Sequence, residues 1–170
     1  MATPNTTKRP LMTGIYAAVP AFFFPGTENL GPFKSHHVDI ILFSWFATDI
    51  PTFEENVARV AKTNMPLAIS GTMGEAIHLS HTERVELIKA GRRALDKAGY
   101  PHFPIIVGTG AGSTRETVEL CKEAAKAGAD YAQVIVSGYY AGVLTRTALK
   151  DFYVEVANKS PIPVLIYSCD

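Results

Sequence analysis

Five short apolar runs punctuate the chain: Gly14 to Pro20, Pro66 to Ser70, Pro104 to Thr109, Tyr131 to Val136 and Pro163 to Tyr167. They are rich in Val and Ile and flanked by Gly or Pro, which predicts buried strands. The stretches between the last four have helical character. Their starts carry side chains that accept hydrogen bonds from the unpaired amides of a first turn: Ser80 with Glu83 and Ser113 with Glu116 form S-x-x-E capping boxes, and Thr52 with Glu55 reads as a third. Gly99 and Gly128 mark two stops, because glycine most easily takes the left-handed conformation that ends a helix. The predicted helices run from His81 to Ala98, from Thr114 to Ala127 and from about Thr145 to Asn158. Val85, Ile88 and Leu95 share one face of the first; Val118, Cys121 and Ala125 share one face of the second; Leu149, Phe152 and Val156 serve the third.

Strand and helix in strict alternation, with strands apolar on both faces, imply an α/β protein built on a parallel sheet with outer helices. A complete (β/α)8 TIM barrel takes about 250 residues. Five units fit in 170 residues, so the expectation is a single domain over 1–170, an incomplete barrel of about five parallel strands. One stretch departs from the rhythm. Residues 31–50 hold the apolar segment Ile40-Ile41-Leu42-Phe43-Ser44-Trp45-Phe46, which has neither helical nor alternating period. It falls far short of the roughly 20 residues needed to span a bilayer. It reads either as an atypical insert packed on the surface or as sequence outside the evolved coding frame, such as an intron read through.

Composition narrows the partners. With 47% hydrophobic and 19% charged residues the chain is not of the disordered type. Lys plus Arg and Asp plus Glu each number 16, so no net field points toward nucleic acid or an anionic membrane. Cys121 and Cys169 are too few for a disulfide framework or a zinc cluster, and Cys121 reads as a small buried hydrophobe. Met1 to Pro10 is polar and short, so the expected location is cytoplasmic.

The candidate chemistry sits just after the strands. Ligands in parallel α/β proteins bind at the C-terminal strand ends, and there the second strand is followed by Gly71-Thr72-Met73-Gly74-Glu75. The glycines allow backbone amides to approach a carboxylate, and Thr72 adds a hydroxyl. Taken as bare sequence, this is also compatible with a plain turn. Tyr139-Tyr140 follows the fourth strand and Tyr167 ends the fifth; singly each could be a packing residue, while together with Thr72 they could form a proton relay. Gly108-Thr109-Gly110-Ala111-Gly112-Ser113 superficially suggests a dinucleotide fingerprint, but Ser113 replaces the third glycine and Asp130 precedes the next strand, where it could not reach a ribose. His36, His37, His78, His81 and His102 show no metal-ligand spacing and read as surface or capping residues. No metal or organic cofactor is expected.

In this order, G-T-M-G-E, I-V-G-T-G, G-Y-Y and I-P-V-L-I-Y resemble the N-terminal part of the dihydrodipicolinate synthase and N-acetylneuraminate lyase family of class I aldolases, and among them the fungal members related to 4-hydroxy-2-oxoglutarate aldolase. The resemblance covers about Thr13 to Leu30 and Thr52 to Tyr167. It implies a carbon-carbon lyase that acts on pyruvate or a related 2-oxo acid through a lysine Schiff base. Family members are homo-oligomers, dimers of dimers. By resemblance, Gly71, Thr72, Met73 and Gly74 form the carboxylate site, with Thr72 and the Met73 amide as the contacts. Tyr140 resembles the relay tyrosine shared across a tight dimer interface, and Tyr167 the catalytic tyrosine that moves protons to and from substrate. Met73 stands where the family usually has a second hydroxyl or amide side chain.

After Tyr167 the family continues with Asn, a Pro-containing turn and an Arg, whereas this chain has Ser168-Cys169-Asp170. The family's Schiff-base lysine would lie about one βα unit further on. Lys62, Lys89, Lys97, Lys122, Lys126, Lys150 and Lys159 read as solvated helix residues, and Lys8 and Lys34 lie outside strands, so the chain is expected to be inactive alone. The alternative is a non-catalytic fragment or interaction partner of a full-length homologue, since an unclosed sheet leaves an unpaired edge.

Overall fold

The computed structural model describes residues 9–22, 48–140 and 142–168. Strands β1 (Ala17–Ala18), β2 (Leu67–Ile69), β3 (Ile105–Gly108), β4 (Tyr131–Ile135) and β5 (Val164–Tyr167) alternate with helices α1 (Ile50–Ala61), α2 (His81–Lys97), α3 (Thr114–Ala127) and α4 (Arg146–Lys159). The five strands form one parallel sheet in chain order. Each neighbour pair keeps a simple register, from Ala17 opposite Leu67 at one end to Ile135 opposite Tyr167 at the other. This is the α/β architecture expected from the alternation of short apolar runs and capped helices.

The caps explain where the helices begin. Ser80 and Glu83 form the reciprocal capping box, each bonding the other's backbone amide. Ser113 accepts from the Glu116 amide and Thr145 from the Ala148 amide. At α1 the expectation fails: Asp49, not Thr52, is the N-cap, and its carboxylate accepts from both the amide and the hydroxyl of Thr52. An aspartate three residues upstream outcompetes the Thr52–Glu55 box, because Pro51 can sit in the first turn without sacrificing a needed amide. Asp49 thus caps α1 and Ile50 opens it, while residues 31–47 of the anomalous stretch lie outside the described residues, as do Lys8, Lys34, His36, His37 and Cys169.

Between sheet and helices lies a core of Phe53, Val57, Leu67, Ile69, Leu87, Ile88, Leu95, Phe103, Ile105 and Val107, all at most 1% exposed. Each such side chain contributes roughly 1.5–3 kcal/mol by leaving water. Under α3 and α4 a second cluster joins Val118, Cys121, Ala132, Val134 and Val156. On α3 the fully buried position is Ala124 and not the expected Ala125, one step round the helix. Burial thins toward β5. Val156 is the one buried residue of α4, and Ile166 on β5 is 66% exposed.

At the opposite, N-terminal edge of the sheet, Asp130 is buried just before β4. Its carboxylate accepts from Arg92 at 2.6 Å, Arg9 at 3.3 Å and the Ile105 amide at 2.9 Å. A carboxylate at this edge is committed to tying the start of β3, α2 and the segment around Arg9 together, which agrees with its exclusion as a ribose ligand.

Candidate functional site

In a parallel sheet all C-terminal strand ends share one rim, so the residues that follow β2, β4 and β5 are brought to the same side of the molecule. Thr72 and Met73 follow β2, Tyr139 and Tyr140 follow β4, and Tyr167 is the last residue of β5. Strands β2 and β5 are three spacings apart, about 14 Å measured along the sheet. Only the curvature of the sheet can bring Thr72 and Tyr167 to one small molecule.

The rim after β2 is shaped by an unusual backbone. Ser70 adopts φ 53° and Glu75 φ 50°, both in the left-handed region that side-chain-bearing residues rarely occupy. Between them the chain makes a tight turn in which the Gly71 carbonyl accepts from the amides of Gly74 and Ala76, and the Thr72 carbonyl from Glu75. The amides of Thr72 and Met73 enter none of these bonds and remain available as donors at the rim. Gly74 is buried, and a β-carbon there would lie 2.9 Å from the Ser70 nitrogen and 3.1 Å from the Val19 carbonyl oxygen, so the second glycine is needed for close approach to β1. Thr72 and Met73 are exposed, Met73 by 67%. Arg84 of α2 reinforces the turn from below by donating to the carbonyls of Ala76 and Leu79. Burial pushes its guanidinium below its ordinary pKa, against the pull of Glu116 and Glu123.

The rim after β4 is a second short turn, Gly138–Tyr140, whose two tyrosine rings meet edge to face with centroids 4.9 Å apart. Tyr139 is 86% exposed and Tyr140 52%. Tyr140 borders a cleft of about 520 Å³ between α3 and α4, lined also by Ser113, Ser137, Leu144, Leu149 and Phe152. Tyr140 therefore faces the helix-layer side of its strand end. Among the described residues the Thr72 and Tyr140 hydroxyls have no hydrogen-bond partner, so no relay is assembled between these two within this chain. Tyr167 is half-buried. The described lysines sit on or just after the outer helices, away from the strand ends.

Two features of the rim escape a reading of the sequence alone. One is Ser70, whose conformation gives no residue-type signal, since a positive φ is normally announced by Gly or Asn. The other is His81, whose ring is held between Glu116 at 2.6 Å and Glu123 at 2.7 Å, clamping the start of α2 to α3. Hydrogen bonding to Glu116 chiefly, and then to Glu123, raises its pKa despite some desolvation.

This arrangement of turns on successive strand ends has close counterparts. The sequence pattern of the dihydrodipicolinate synthetase family matches residues 55–170. The chain belongs to that family. It is 41% identical over 161 residues to a probable mitochondrial 4-hydroxy-2-oxoglutarate aldolase of Emericella nidulans, covering 94% of this chain and 46% of that protein. It is 36% identical to an L-threo-3-deoxy-hexylosonate aldolase of Hypocrea jecorina, covering 99% of this chain and 46% of that one. A solved dihydrodipicolinate synthase of Acinetobacter baumannii, complexed with pyruvate, superposes with a TM-score of 0.66 at 33% identity, over 72% of this chain and 40% of that structure. The chain thus spans less than half the length of the family members it matches. Among the described residues no helix is long and apolar enough to cross a membrane.

Proposed function

We propose that this chain is part of a Schiff-base aldolase or lyase acting on pyruvate or a related 2-oxo acid, a single truncated barrel domain over 1–170 that carries the carboxylate-binding turn and two of the tyrosines. The observation that carries the reading is the turn after β2, which offers the Thr72 and Met73 amides, free of backbone partners among the described residues, at the ligand-binding rim of a parallel sheet.

In this mechanism the keto-acid carboxylate accepts hydrogen bonds from the Thr72 hydroxyl and from the Thr72 and Met73 amides, with Gly71 and Gly74 allowing the close approach. Fixing the carboxylate presents the carbonyl carbon to an amine, and charge is stabilised by donors already in place. Tyr167, at the end of β5, is the group that passes protons to and from the bound substrate. Tyr140 completes the relay from a neighbouring subunit in a dimer of dimers; its 52% exposure and a hydroxyl with no hydrogen-bond partner among the described residues support a role between subunits. The amine is supplied by a lysine beyond Tyr167 in the complete barrel, so this chain alone forms no Schiff base. A cytoplasmic location is part of this reading, and cell fractionation tests it against the mitochondrial one in the name of the Emericella relative.

Borohydride reduction in the presence of pyruvate tests the assignment. The chain as it stands should give no covalent adduct, and the chain extended with the following strands of the Emericella relative should give one. An adduct on the unextended chain, or none on the extended one, would refute the reading.

A second reading has its own observation. Ile166 is 66% and Val154 49% exposed, and β5 pairs on one side with β4 alone among the described residues. Such an edge fits a non-catalytic chain that associates with a full-length homologue.

A further inference from the structure

Ser70 is 1% exposed, and its hydroxyl oxygen is sealed from solvent with no hydrogen-bond partner among the described residues. Its backbone lies at φ 53°, a conformation that a serine adopts only at a cost. A buried hydroxyl without a partner is a second cost. Both fall on one residue, two positions before Thr72 and three before Met73.

Packing does not leave the backbone a cheaper path. The Ser70 carbonyl presses against Gly108 of β3, where a β-carbon would come within 2.0 Å of it, and the Ser70 nitrogen and Cα border the position a side chain on Gly74 would take. Ser70 is therefore gripped from β3 on one side and from its own turn on the other. The left-handed step falls directly after Ile69, the last residue of β2, where the turn begins. A glycine would make that step without strain, and an alanine would fill the same space without an unmet polar atom. The retained hydroxyl is unexplained by stability.

We infer that Ser70 is a positioning residue for the carboxylate site: its hydroxyl gains its hydrogen-bond partner when the turn closes on a bound 2-oxo acid, which couples ligand binding to the geometry of the Thr72 and Met73 amides. The inference rests on the keto-acid reading above. It makes stability and affinity move in opposite directions at one position, because the hydroxyl is a liability in the empty protein and an asset in the liganded one.

The test uses the full chain with pyruvate as the probe, followed through the backbone amide resonances of Thr72 and Met73, beside thermal unfolding without ligand. Ser70→Ala should unfold at a higher temperature than the parent and bind pyruvate about tenfold more weakly, the scale of one hydrogen bond to a charged group. Ser70→Gly, which also relieves the backbone, should be at least as stable as Ser70→Ala and bind no better. If the parent binds pyruvate and Ser70→Ala binds it equally well, or if Ser70→Ala unfolds at a lower temperature, the positioning role is wrong while the keto-acid site stands. If the parent itself shows no shift of Thr72 and Met73 with pyruvate, the role of Ser70 falls, while the borohydride result on the extended chain decides separately whether the keto-acid site stands.

Discussion

Gly108 lies so close to Ser70 that a β-carbon on the glycine would sit 2.0 Å from the serine's carbonyl oxygen. This contact joins β3 to the strained residue that launches the turn after β2. It holds this part of the rim through backbone packing.

Gly108→Ala should therefore destabilise the chain by roughly 3 kcal/mol or more, because the clash is with backbone that cannot rotate away. Urea unfolding checks the loss. Gly112 provides the control, since a β-carbon there would meet nothing within 4 Å: Gly112→Ala should stay near the parent.

Asp130 serves the opposite edge of the sheet. It is 4% exposed and holds Arg92, Arg9 and the Ile105 amide. Asp130→Ala leaves the Arg92 guanidinium without its carboxylate in a site where burial already depresses its pKa. The expected cost is about 3–5 kcal/mol, and Arg9→Ala, with a longer and more exposed contact, should cost less. Chemical denaturation of both variants ranks them; equal losses would contradict the geometry.

His81 predicts a pH dependence with a definite sign. Its pKa is raised in the folded chain by Glu116 and Glu123, with Arg84 the nearby cation on the same helix. A raised folded pKa means that its contribution is fully present below the unfolded value near 6.5. The contribution is then lost as pH rises through the folded pKa. The unfolding temperature of the parent should exceed that of His81→Asn by more at pH 5.5 than at pH 8.5, and Glu116→Gln should narrow the difference. A gap independent of pH would show that the clamp acts by packing only.

The thin side of the core should be visible as association. Ile166→Lys places a charge on the exposed face of β5, the usual way in which sheets discourage edge and face contacts. Sedimentation over a range of concentrations should show less self-association than in the parent; unchanged association would locate the sticky surface elsewhere, for example at Tyr139 and Val143, which are 86% and 77% exposed.

The order of elements was legible in the residues themselves. Short Val- and Ile-rich runs between Gly and Pro identify the strands, and Ser80, Ser113, Gly99 and Gly128 mark helix ends, because capping and backbone preference act over three or four residues and leave a local signature. The turn Gly71 to Glu75 and the residues Tyr140 and Tyr167 could be placed after strands by the same logic. What the sequence could not decide involves partners distant along the chain or competition between neighbours. Asp49 displaces Thr52 as a cap, and Glu116 turns its carboxylate to His81, 35 positions away. Ser70 takes a conformation that its type does not advertise, because Gly108 and Gly74 close in on it from both sides. Short-range hydrogen bonding wrote the elements into the sequence, whereas the shape of the rim follows from excluded volume between strands that meet only after the chain has folded.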